Sequence, residues 1–155
     1  MIRIETKKDQ KKIAQLEEDV LGPGRFARPS YRIREGHIHN ISYSHVYTKG
    51  SKIVASIRYF DCKNEGLKGL MLGPLIVNQK FKGNGIGTEL INTTIDKIKK
   101  QKINFLVLIG EHEYYKKFGF DINKEIYFKL NVRSEKVHSK ILINSTKLSG
   151  LIEIG

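Results

Sequence analysis

The stretch Val77-Asn78-Gln79-Lys80-Phe81-Lys82-Gly83-Asn84-Gly85-Ile86-Gly87-Thr88-Glu89-Leu90 decides how this chain folds. An apolar run, Leu72 to Val77, leads into it. Ile86, Leu90, Ile91, Thr94, Ile95 and Ile98 leave it as one helical stripe reaching as far as Gln101. The stretch is therefore a strand-to-helix turn with glycine at alternate positions. Such glycines leave backbone N–H groups uncovered, and the following helix aims the positive end of its dipole at the same spot. The turn reads as an anion cradle. A glycine turn without a ligand is the plain alternative, because short glycine motifs are weak signals.

Two nucleotide-binding readings fail on spacing. A Walker-type phosphate loop ends in Gly-Lys-Ser/Thr, and no Gly-Lys pair occurs anywhere in the chain. A dinucleotide fingerprint begun at Gly85 places bulky Leu90 at its third glycine. It also finds no acidic residue near Ile103 or Asn104 to meet a ribose.

At 155 residues the chain reads as one domain over 1–155, long enough to bury about 70% of its unfolded surface in one core. No apolar run approaches a membrane span, and Met1-Ile2-Arg3-Ile4-Glu5 lacks the apolar block of a secretion signal. Cys62 is the only cysteine, so no disulfide forms within the chain and a reduced, cytoplasmic setting is expected. The formal charge of +12 attracts anions. Its distribution moderates that reading. Lys97, Lys99, Lys100 and Lys102 crowd the end of the helix begun near Asn84, where cations suit the negative dipole end and stay solvated. No aromatic and basic signature of an RNA-binding sheet is present, so dedicated nucleic-acid binding is disfavoured.

Along the chain, Ile2 and Ile4 alternate with charge as a short strand, and Ile13, Leu16 and Val20 recur at helical spacing between Lys8 and Val20. Gly22-Pro23-Gly24 stops that helix. Arg25 to Arg34 reads as a long loop holding one helical turn, of a length that is often functional; its four arginines either line an entrance or, the slightly favoured reading, are merely solvated. Strands are expected over Ile41–Tyr47 and Ile53–Phe60 with a tight turn at Lys49-Gly50, then a polar loop from Asp61 to Gly69 and a strand from Leu70 to Val77. Phe105-Leu106-Val107-Leu108-Ile109 is apolar throughout, as in a strand covered on both faces. A short helix over Glu111–Phe118 and strand-like segments around Ile126–Val132 and Val137–Ile143 complete a mixed α/β sheet with helices on its faces.

Taken in order, Leu72-Gly73-Pro74-Leu75-Ile76-Val77, the turn Lys82 to Gly87, and Tyr114-Tyr115-Lys116-Lys117-Phe118-Gly119-Phe120 resemble the GNAT superfamily of N-acetyltransferases. The likeness is to its small bacterial branch with Gly-Pro-Leu-x-Val before the turn. The family's Gln/Arg-x-x-Gly-x-Gly/Ala falls on Lys82, Gly85 and Gly87, and its Tyr-x-x-Phe-Gly-Phe falls on Tyr115, Phe118, Gly119 and Phe120. Lys82 stands where the family has Gln or Arg, which keeps a cation but loses planar, forked hydrogen bonding. The resemblance implies a GNAT-type, mainly antiparallel central sheet flanked by helices, with acetyl-CoA as acetyl donor. It implies the pyrophosphate on the N–H groups of Gly83, Asn84, Gly85, Ile86, Gly87 and Thr88, and pantetheine paired with the backbone of Leu75, Ile76 and Val77.

Acetyl transfer to an amine needs a neutral nucleophile, a polarised thioester carbonyl, alignment, and a proton for the departing thiolate. By resemblance, a backbone N–H in Leu75–Val77 meets the carbonyl and Tyr115 is the general acid. A phenol of pKa about 10 is suited to that task. Glu111 is the candidate base. It is equally explained as an acidic residue favouring a helix N-terminus, and His112 is an alternative. His37, His39 and His45 lack companions at ligand spacing, so no metal is expected. Cys62 reads as an inert thiol in a polar loop. The reading is an N-acetyltransferase for a small-molecule or protein amine acceptor, with homodimerisation left open. Its rivals are a non-catalytic CoA-binding or regulatory module on the same fold and a basic nucleic-acid-binding protein.

Overall fold

In the structure, a computed structural model describing residues 1–155, the alternating N-terminal residues form β1 (Ile2–Ile4). It pairs antiparallel with β2 (His45–Lys49), and α1 (Gln10–Leu21) and α2 (Pro29–Arg34) lie between them in sequence. Ile13 and Leu16 occupy the buried side of α1, and Pro29 takes the first position of α2, where its missing N–H costs nothing. The strand expected from Ile41 starts later. Asn40 to Ser44 instead form a turn, with the Ser44 hydroxyl donating to the Asn40 carbonyl at 2.9 Å.

A second difference lies in the hairpin of β3 (Lys52–Asn64) and β4 (Leu67–Val77). The polar loop expected over Asp61–Gly69 is strand, closed by Glu65-Gly66 at φ 47° and 84°, positive values that match the twist of a two-residue hairpin turn. Asp61 and Lys63 are exposed while Cys62 and Asn64 are buried, so the alternation is intact although the letters are polar. Asn64 has reason to be inside: its Nδ2 donates to the Ser149 and Leu151 carbonyls at 2.8 and 2.9 Å. Burial also raises the thiol pKa of Cys62, which keeps it inert.

From β4 the chain crosses through α3 (Ile86–Ile98) to β5 (Phe105–Ile109), giving the one parallel junction of an eight-stranded sheet. α4 (His112–Tyr115) leads to β6 (Asp121–Ile122), and β7 (Ile126–Tyr127) precedes β8 (Val137–Ile141). After β9 (Gly150–Leu151) the chain ends in β10 (Glu153–Ile154). The order is β1-β2-β3-β4-β5-β8-β6, with β10 beside β3, and β7 and β9 form a separate pair. This is the mixed, mainly antiparallel sheet flanked by helices. No helix is long and apolar enough to cross a membrane.

Alternation along the central strands sends Leu70, Leu72, Leu106 and Leu108 against the stripe of α3, with Tyr59 bonded to Thr94 at 2.8 Å beneath it. Met71, Phe105 and Val107 point to the opposite face, which Ile126, Phe128, Leu148 and Ile152 cover. Phe105 through Leu108 are at most 1% exposed, as a strand covered on both faces requires. Gly69 is glycine for lack of room, since a Cβ there would overlap the Phe105 ring.

Charge is buried too. Glu5, whose side chain is fully buried, holds Arg58 at 2.9 Å and His39 at 2.5 Å. Arg58 also reaches Glu17 of α1 at 3.6 Å. Arg25 pairs with Glu17 and Glu18, and both Arg25 and Arg34, for which solvent is the favoured reading of the sequence, are inside. His37 and His39 lie in the connection after α2 rather than on a strand.

Two predictions follow from the packing. Leu90→Ala should cost about 2–5 kcal/mol in urea unfolding, and exposed Lys100→Ala should stay within about 0.5 kcal/mol. Asp9, buried against the Arg3 guanidinium at 2.7 Å, has its carboxyl held well below the usual range by that bond. The unfolded chain ionises this group near pH 4, so the pair stabilises fully above that pH and progressively less below it. Asp9→Asn should therefore lower the unfolding temperature at pH 7, and its deficit should shrink between about pH 4 and pH 2.

Candidate functional site

The site begins where β4 and β5 separate. Their ladder covers Gly69–Met71 against Phe105–Val107 and then stops. Opposite Ile57–Tyr59 of β3, β4 spends one extra residue between Leu72 and Leu75. This bulge bends β4. Gly73, at φ 136°, and Pro74, which has no N–H for the ladder, occupy it. Beyond the bulge, the Asn78 N–H donates to Val54 on the β3 side at 2.8 Å. Strand alternation then turns the amides of Leu75 and Val77 to the opposite, open edge. Ile76 differs: its amide belongs to the β3 ladder opposite Ser56, and its side chain packs under α1.

After Val77 the Asn78 side chain accepts from the Lys80 N–H at 3.0 Å and closes a short 3-10 turn over Gln79–Phe81. Gly83 and Gly85 then take φ of 84° and 75°. A Cβ at either would touch nothing, so both are glycine for conformation. Alternating handedness over Lys82–Gly85 converges successive N–H groups at the start of α3. Gly87 is glycine for space, because a Cβ would lie 2.8 Å from the Tyr114 hydroxyl.

A cavity of about 570 Å³ joins these parts. Leu75 and Val77 of β4, the turn residues Lys82, Gly83 and Gly85, the first residues of α3, Ile86, Gly87 and Thr88, and the aromatics Tyr114 and Tyr115 all line it. Of the residues expected to hold a cofactor, only the Ile76 and Asn84 side chains fall outside; Asn84 is exposed.

Tyr115 is seated by Gly110, where a Cβ would come within 2.6 Å of the phenol ring. Tyr114 meets it edge-on at 4.9 Å, and Phe120 lies 6.0 Å away. Burial, reinforced by Tyr114 and opposed by Arg34, pushes its pKa up to about 12. The phenol thus keeps its proton at neutral pH. With Tyr114 it also lines a second cavity of about 600 Å³, shared with Arg28, Glu111 and Lys136. Glu111 stands at the start of α4, exposed, with the Lys136 ammonium at 2.5 Å holding its carboxyl below the usual range.

One neighbour gave no signal in the sequence. His138 is fully buried and stacked on His112, with ring centroids 5.4 Å apart. Its Nδ1 donates to the Lys136 carbonyl at 2.9 Å, so its Nε2 accepts from His112 Nδ1 at 3.3 Å. The pair pins α4 to β8.

A family model described as "Acetyltransferase (GNAT) family" matches residues 11–120. The uncharacterized N-acetyltransferase YhbS of Escherichia coli K12 is 27% identical over 62 residues, which span 40% of this chain and 37% of that relative. The E. coli YhbS crystal structure in complex with CoA covers 100% of this chain and 89% of its own, with a TM-score of 0.85 at 19% identity. A Brucella melitensis GNAT acetyltransferase in complex with acetyl-CoA gives 0.72 at 20% identity, covering 96% and 92%. Arabidopsis thaliana Naa50 with a bisubstrate analogue, CoA-Ac-MVNAL, gives 0.64 at 24% identity, covering 90% and 97%. At these identities the structural likeness speaks for the fold, and the family match rests on the sequence from Lys11 to Phe120. The chain belongs to the GNAT family of acetyltransferases.

Proposed function

We propose that this chain is an acetyl-CoA-dependent N-acetyltransferase acting on a primary amine by direct attack, with residues 1–155 as one catalytic domain. The observation that carries the reading is that Tyr114 and Tyr115 line two cavities, one shared with the glycine cradle and the other with Glu111. Neighbours of the same fold crystallised with CoA or acetyl-CoA support the choice of donor.

The cradle fits a pyrophosphate. Gly83 to Thr88 present converging amides at a helix start, and Lys82 adds a mobile cation at the mouth. The open edge at Leu75 and Val77 fits the amides of a pantetheine arm, and an N–H there polarises the thioester carbonyl. Bound acetyl-CoA supplies an activated acetyl group, from which amine attack forms a C–N bond and releases sulfur as thiolate. Tyr115, held protonated by burial, donates its proton to that sulfur and regains one from solvent. Glu111 accepts the amine proton through water. Its ion pair with Lys136 makes it a weak base, so its share of the rate is small.

Tyr115→Phe should lower kcat about a hundredfold or more while CoA affinity stays unchanged. Full turnover by this variant with acetyl-CoA bound would remove Tyr115 from the mechanism. Glu111→Gln should move kcat/KM by less than about tenfold, with the acid limb of its pH profile altered. Gly85→Ala should weaken CoA about tenfold, because a side chain at φ 75° costs about 1–2 kcal/mol. Titration calorimetry reads this directly. CoA binding without acetylation of any amine panel would favour a non-catalytic module.

A further inference from the structure

A guanidinium is buried at the bend of β4 with no hydrogen-bond acceptor on the protein. Arg34, the last residue of α2, is 6% exposed. It reaches into the β4 bend, where a Cβ on Gly73 would stand 2.5 Å from its Nη1. Its guanidinium lies over the ring of Tyr31 at 4.6 Å and, farther off, Phe60 at 5.6 Å. Arg25 and Arg58 each hold carboxylates, but no oxygen accepts a bond from Arg34. Burial lowers its pKa to about 10, which leaves it charged at neutral pH.

Arg34 lines a cavity of about 350 Å³ walled by Phe26, Tyr31, Phe60 and Pro74. The other charged or titratable groups facing this cavity are Glu17, Glu35, His37 and Arg58. Glu17 is taken by Arg58, Arg25 and the Tyr31 hydroxyl. Arg58 is taken by Glu5 and Glu17, and Glu35 and His37 are exposed. Arg34 is thus the one buried charge there whose donors are free. Aromatic faces recover only about 0.5–2 kcal/mol for such a cation. A carboxylate satisfies two of its donors at once and in plane.

Position links this cation to the chemistry. Gly73, which it approaches, lies just before Leu75, where the open edge of β4 begins. Resting on the acetyl-transfer reading, we infer that the acceptor is a small zwitterion, an amino acid or a close analogue, whose carboxylate is received by Arg34 while its amine faces the open edge of β4. A cavity of this size with aromatic walls takes a metabolite rather than a folded protein.

The test uses product analogues, so that binding is read apart from catalysis. N-acetylalanine, N-acetyl-β-alanine and N-acetyl-γ-aminobutyrate are titrated against their carboxamides by ligand-observed NMR, with and without CoA. At least one acid should bind about 10- to 100-fold more tightly than its amide. Arg34→Gln should erase that ratio, and Arg34→Lys should restore part of it. Equal affinities at all three spacings in the wild type would overturn the proposal without recourse to any variant. So would an acid preference that survives Arg34→Gln in folded protein. Absent CoA binding with the acid preference intact would defeat the acetyl-transfer reading and leave the carboxylate site standing.

Discussion

One extra residue in β4 organises the molecule. A bulge at Gly73-Pro74 turns the strand away from β5 after a short parallel ladder, and two backbone amides are left facing a gap. In a close-packed domain such a gap is costly unless something occupies it, because unpaired backbone groups lose their partners. Here the gap is lined by Leu75 and Val77, by the first turn of α3 and by two tyrosines.

The face of the sheet under α1 and α2 solves a different problem. Glu5, Glu17, Arg25 and Arg58 form a chain of ion pairs that is mostly inside. Buried pairs of this kind often contribute little net stability, since desolvation offsets attraction, yet removing one member strands its partner. The arrangement fixes α1 against β3 and sets the end of α2 close to the β4 bulge. Arg34 is placed by that framework and is left out of its pairing.

Much of this is legible in the sequence. The apolar run Phe105–Ile109, the stripe from Ile86 to Ile98 and the glycine turn between strand and helix all rest on short-range periodicity, which a sequence displays openly. The extension of β3 through Asp61–Asn64 did not show. Its inward residues are a cysteine and an asparagine, and the reason Asn64 points inward is a pair of carbonyls more than eighty residues away. The burial of Arg25 and Arg34 was hidden for a similar reason. Nothing within the Arg25–Arg34 segment announces that its partners sit on α1 or that Gly73 makes room for a guanidinium. His138 became visible only when β8 fell beside α4. Long-range polar contacts leave no period to read.

The glycines of the turn answer two separate demands. At Gly83 and Gly85 the backbone adopts angles natural to a mirror-image residue, so the restriction there is one of handedness; a D-amino acid introduced by chemical synthesis would keep the curl of the loop. At Gly87 the restriction is volume under a phenol, a matter of space rather than of handedness. Three letters that look interchangeable in print thus guard the curvature of the loop at two positions and its headroom at the third.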